Sequence, residues 1–80
     1  MNYNELESKV INLIAEKIGI ESNVIKPDSY LENDLMLDDV DMVELETLLE
    51  KEFGIPINIT EDITIETVKE VVNQISKKLK

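Results

Sequence analysis

The chain has 80 residues and a formal net charge of −10, from 18 acidic and 8 basic residues. It contains neither Cys nor His, which excludes disulfides, a thiolate nucleophile, a zinc–thiolate centre and the commonest general base. No apolar run approaches the length of a membrane span and no signal peptide opens the sequence, so one small cytoplasmic domain, residues 1–80, is expected.

The first helix is predicted from Asn4 to Ile18. Asn4 can cap it, and Glu7 three residues later completes a capping-box pair. Leu6, Val10, Leu13, Ile14 and Ile18 recur at helical spacing and form a buried stripe. Gly19 ends the helix, with Ile20 as the apolar residue that often follows such a glycine. Residues 20–38 are a long connection with turn chemistry at Pro27, Asp28 and Ser29. Val24, Ile25, Tyr30, Leu31, Leu35 and Leu37 are too apolar for a free linker and should tack this loop onto the helices. A loop of this length in a compact domain points to function.

The second helix is predicted over residues 39–53. Asp38 is its N-cap, and Asp39 and Asp41 sit in a first turn where the helix dipole favours negative charge. Gly54 supplies a left-handed end, and Pro56 blocks continuation. At about 100° per residue, Met42, Leu45, Leu49 and Phe53 share one stripe that should face the core. Asp41, Glu44 and Lys51 lie on the far side, and Val40 lies among them. Val40 is therefore either an ordinary exposed apolar residue or a partner contact. Residues 28–52 hold ten acids and a single base, Lys51, and so carry −9 of the net charge. Such a segment repels nucleic acid and anionic membrane surfaces. Its complement is a basic protein patch. The alternative is that the acidity only keeps a small protein soluble.

Ile55-Pro56-Ile57-Asn58-Ile59 alternates like a strand but has no evident partner, so an extended, packed loop is expected. Thr60-Glu61-Asp62-Ile63 can form a single helical turn. The last helix should start after Thr64 as N-cap, with Glu66 in its first turn. Ile65, Val68, Val71, Val72, Ile75 and Leu79 supply its apolar face. Lys77, Lys78 and Lys80 lie where the helix dipole favours cations.

Asp34-Leu35, Asp38, Asp41-x-Val43-Glu44-Leu45 and Glu52-Phe53-Gly54 together resemble the acyl carrier protein family. The likeness runs without a gap from about Asp28 to Val68 and more loosely over the whole chain. It implies an all-α fold, a four-helix bundle with a long first loop and a short third helix at Thr60–Ile63. It also implies a carrier that is not an enzyme, working in fatty-acid or polyketide-type synthesis. The family carries 4′-phosphopantetheine on a serine that follows the aspartate at the start of the second helix. Here that position is Asp39. The leucine after it is Val40, and the glycine two positions before Asp38 is Met36.

By residue match, the docking set for basic partner enzymes is Asp38, Asp41, Glu44 and Glu50, with Val40 as apolar centre. Those partners would be a phosphopantetheinyl transferase, acyltransferases and condensing enzymes, met by a monomer. Lys51 stands where the family often has a further acid. The family shelters acyl chains between its helices, which would place Val43, Leu49, Phe53, Ile57, Ile65, Val68 and Val72 around a cavity or, without an arm, in ordinary core.

A carrier needs a hydroxyl at a helix N-terminus, where amides and dipole then favour the phosphodiester. Asp39 has none, and a carboxylate attacking phosphorus would give a labile acyl phosphate. No cofactor is therefore expected on the chain as written. Asp39 is either a natural loss or a deliberate replacement of serine, and Met36 leans towards natural divergence. A natural pseudo-carrier acting only as an interaction or regulatory module is the alternative function. Ser29 is a poor substitute attachment point, because the family also has an unmodified serine there. A calcium loop starting at Asp34 fails at Met36, Val40 and Leu45. No specific metal site is expected, although Asp38, Asp39 and Asp41 could gather a loose divalent ion.

Overall fold

The structure is a computed structural model that describes residues 1–79. Among these it contains three α-helices, α1 (Tyr3–Ile18), α2 (Asp39–Phe53) and α3 (Val68–Lys78), one 3-10 turn at Ser22–Val24, and no strand. The all-α expectation holds, but residues 60–63 form no third helix. Side chains hold this stretch instead: Thr60 N–H donates to Glu46 Oε2 and Glu61 N–H to Asn58 Oδ1. The Asp62 carboxylate then holds the Thr64 amide at 3.0 Å and closes a turn in which Ile63 is exposed.

All three helices begin with a reciprocal capping box, at Asn2/Glu5, Asp38/Asp41 and Thr67/Glu70. The cap of α1 is therefore Asn2 and not Asn4. Both asparagines have a glutamate three residues on, and the tertiary structure chooses between them. Starting at Tyr3 lets its hydroxyl donate to Asn73 Oδ1 of α3 at 2.6 Å. The cap of α3 is Thr67 and not Thr64, so Ile65 and Glu66 precede the helix. Gly19 (φ 75°) and Gly54 (φ 67°) end α1 and α2 in the left-handed conformation that glycine adopts without strain. Lys80 lies outside the described residues.

Leu6, Val10 and Ile14 of α1, Leu45 and Leu49 of α2, and Val68, Val71, Val72 and Ile75 of α3 build the core. The long first loop adds Ile25, Leu31 and Leu37, while Val24 and Tyr30 remain exposed. That loop is sewn to the start of α3. Lys69 N–H donates to Pro27 O, Val68 N–H to Ser29 O and Leu31 N–H to Glu66 O, with a single antiparallel bridge between Tyr30 and Thr67. α1 packs on both other helices, but no Cα of α2 comes within 8 Å of one of α3. Residues 57–60 bridge these two helices, with Ile57 and Ile59 turned inwards as the sequence alternation requires.

Candidate functional site

The start of α2 is positioned from two sides. Buried Leu37 anchors the chain just before the helix, and its amide donates to Leu31 O at 3.0 Å. Asp34 Oδ2 accepts from Tyr30 N–H at 2.7 Å and tightens the preceding turn. Met36 lies between these anchors with φ 58°, a left-handed conformation that costs a non-glycine residue about 1–2 kcal/mol. Its side chain points to solvent. Asp38 Oδ1 then accepts from Asp41 N–H at 2.8 Å, while Asp41 Oδ2 accepts from Asp38 N–H at 3.1 Å. Asp39 is the first helical residue and is exposed, beside these two capping carboxylates.

Val40 and Val43 are exposed on the first turns of α2, at 65% and 52%. Glu44 reaches across to α1, where Lys17 Nζ sits 2.8 Å from its carboxylate. The two carboxylates further along behave differently. Glu50 Oε2 accepts from Ile57 N–H at 3.0 Å. Glu46 Oε2 accepts from Ile59 N–H at 2.7 Å, Thr60 N–H at 3.2 Å and the Thr60 hydroxyl at 3.3 Å. Glu50 is thus turned towards the body of the protein, while Asp38, Val40, Asp41 and Glu44 share the first half of α2.

A cleft of about 520 Å³ opens beside Asp39. Met42, Val43, Ile59, Ile63 and Ile65 form apolar walls, and Glu32, Asp62 and Glu66 stand around them. The hydroxyl of Thr64, and then its amide, hold the Asp62 carboxyl below its ordinary pKa. The seven residues expected around an acyl cavity fall in different surroundings. Leu49, Ile57, Val68 and Val72 are buried core, and Val43 and Ile65 line the cleft. Phe53 is half-buried, with Lys9 Nζ 5.7 Å from its ring centre. Ile63, Glu32 and Glu46 escape sequence reasoning. Ile63 sits in a segment that reads as helical, and nothing in the spacing of Glu46 announces three hydrogen-bond donors.

The residues at the start of α2 do not fit covalent attachment of a phosphopantetheine arm, because Asp39 offers a carboxylate and no hydroxyl. Two hydroxyls on flanking segments are already engaged. Ser29 is buried and its Oγ accepts from Lys26 N–H at 2.9 Å, and the Thr60 hydroxyl donates to Glu46. Among the described residues no group of three or more carboxylates is gathered closely enough to hold a metal ion, and no helix is long and apolar enough to cross a membrane.

Comparison with known proteins identifies the family. The family model described as "Phosphopantetheine attachment site" matches residues 8–75. An acyl carrier protein of Rickettsia canadensis is 37% identical over 75 residues, 94% of this chain and 87% of that protein. An acyl carrier protein of Porphyromonas gingivalis is 36% identical over 77 residues, 96% of this chain and 99% of that protein. Members of this group are carriers and not enzymes. The capped acidic helix, the long ordered loop before it and these relatives lead to one conclusion: the chain belongs to the acyl carrier protein family.

Proposed function

We propose that this chain is an acyl carrier-type docking domain of fatty-acid or polyketide-type synthesis that does not itself hold 4′-phosphopantetheine. The observation that carries the reading is Asp39, exposed as the first residue of α2 and flanked by a complete capping box. Position, dipole and access suit an attachment site, and only the nucleophile is missing. Asp39 keeps one negative charge there, which resembles a phosphodiester in sign but not in reach.

The docking surface is the first half of α2. Asp38, Asp41 and Glu44 provide negative charge, and Val40 provides an apolar centre that a partner can cover. Glu50 contributes to the field of this surface and not to its contacts, because its carboxylate holds Ile57. The partners are basic faces of a transferase, acyltransferase or condensing enzyme, in the cytoplasm, and the chain works as a monomer.

Intact-mass spectrometry tests the reading. Incubated with coenzyme A, Mg²⁺ and a broad-specificity phosphopantetheinyl transferase, the protein gains no mass, and Asp39→Ser gains one phosphopantetheine. Modification of the unchanged protein would overturn the loss of the arm. The strained Met36, where the resemblance places glycine, favours a second reading, a diverged interaction module. Failure of Asp39→Ser to be modified selects that reading, because the transferase would then no longer recognise the surface.

A further inference from the structure

Residues 57–60 are held in an unusual way. They cross between α2 and α3 without helical structure and bend at Ile59 and Thr60, and no strand among the described residues lies beside them. Each of their four amides is nevertheless satisfied, and always by a helix side chain. Ile57 N–H donates to Glu50, Asn58 N–H to Gln74 Oε1 at 2.8 Å, and Ile59 and Thr60 N–H both donate to Glu46. Gln74 Nε2 returns a bond to Asn58 O at 2.9 Å, and Lys78 Nζ reaches Pro56 O at 2.6 Å. Carboxylates and carboxamides on the two helices replace the missing neighbouring strand.

This arrangement has a mechanical consequence. The segment covers the seam between α2 and α3, and it buries Ile57 and Ile59 in the core. Helices and paired strands open only by breaking a cooperative backbone ladder. This strap is held by helix side chains instead, so lifting it breaks those few bonds and uncovers Ile57 and Ile59. Most of its attachment to α2 converges on one oxygen, Glu46 Oε2, which takes two amides and a hydroxyl. Ile59 and Thr60 are also walls of the cleft beside Asp39, so Glu46 holds the boundary between that cleft and the core.

We infer that Glu46 is a specificity-determining latch: its carboxylate keeps residues 57–60 closed against α2 and so excludes an alkyl chain from the interior. Ile59 and Thr60, which Glu46 holds, line the cleft, so a chain that passes from it into the core beneath them must displace the strap. The inference rests on the carrier-type fold and is independent of whether Asp39 carries an arm.

The test uses the full chain without phosphopantetheine, so its outcome leaves the attachment question untouched. Amide exchange and titration with 1-decanol are followed by NMR for the unchanged protein, Glu46→Gln and Glu46→Ala. In Glu46→Ala, exchange at Ile59 and Thr60 accelerates at least tenfold more than at Val10 and Ile14 of α1. Decanol then shifts the signals of Leu49, Ile57 and Val72 in that variant and leaves them unmoved in the unchanged protein. Glu46→Gln, whose amide oxygen still accepts, stays close to the unchanged protein. Equal acceleration throughout the chain would reduce Glu46 to a general stabilising residue. Decanol entering the unchanged protein as readily, or failing to enter an opened strap, would also overturn the latch. Should Glu46→Ala not fold, Glu46→Asp, one methylene too short to reach the strap, decides by the same readouts.

Discussion

The two halves of α2 carry acids of the same type, and those acids do different work. In the first half, Asp39 projects into solvent, exposed Glu44 pairs with half-buried Lys17, and Asp38 and Asp41 cap each other's amides. In the second half, Glu46 and Glu50 turn towards the strap and satisfy three of its four amides. The first group leaves charge at the surface for a partner, as does Glu52 near the helix end with its ion pair to Lys9, whereas Glu46 and Glu50 take the place of a β-strand. Charge density along a sequence therefore overstates a docking surface, because a carboxylate turned inward to hold a distant segment, as Glu46 and Glu50 are, is not presented to a partner.

Stability measurements can break this comparison. Glu46→Ala removes a charged acceptor from two amides and a hydroxyl, and should cost about 2–3 kcal/mol in urea unfolding. Glu50→Ala, with one amide lost, should cost about 1–2 kcal/mol. Glu44→Ala, which breaks one ion pair with half-buried Lys17, should cost no more than about 1 kcal/mol. Equal losses at residues 44 and 46 would erase the division between the two halves.

Binding sharpens the same contrast from the other side. Glu44→Lys should weaken association with a basic partner, and added salt should weaken the unchanged protein's binding in the same way. Its melting temperature should fall little. Binding indifferent to both the substitution and ionic strength would remove electrostatics from the docking surface.

A smaller effect is expected at the entry to α2. Met36→Gly relieves a left-handed strain of about 1–2 kcal/mol. Glycine also raises the entropy of the unfolded chain, which offsets about 0.4–1 kcal/mol. The net result should be stabilisation of roughly 0.5–1 kcal/mol, seen as a higher denaturation midpoint with unchanged slope. A destabilised variant would mean that the methionine side chain makes a contribution its exposure does not reveal.

The smallest effect is acid sensitivity at α3. The amide of Glu66, followed by the amide and hydroxyl of Thr67, holds the Glu70 carboxyl below its ordinary value of 4.5. A carboxyl lowered in the folded state stabilises fully above that ordinary value and loses its contribution as pH falls through the lowered one. The stability that the unchanged protein has over Glu70→Gln should therefore shrink as pH falls from about 5 towards 3. An identical decline in both proteins would assign the acid sensitivity to other groups.

Local chemistry settled much of this protein in advance. The bounds of α2 follow from Asp38 at one end and Gly54 at the other, because capping and left-handed termination need only neighbours in sequence. The stripe Met42, Leu45, Leu49 and the anchors Ile25, Leu31 and Leu37 were legible from periodicity and from apolarity out of place in a loop. The absence of a hydroxyl at residue 39 was legible outright. Where two local signals competed, sequence alone could not rank them. Asn2 and Asn4 each precede a glutamate by three residues, and the Tyr3 bond to Asn73, 70 positions away, favours the first. The strap was visible as an unpartnered alternation, but its fastening to Glu46, Glu50 and Gln74 was not. Those side chains lie 7 to 16 residues from the amides they hold. They meet only after α2 and α3 have packed on α1, so the direction of each α2 carboxylate, to a partner or to the fold, was decided by tertiary structure.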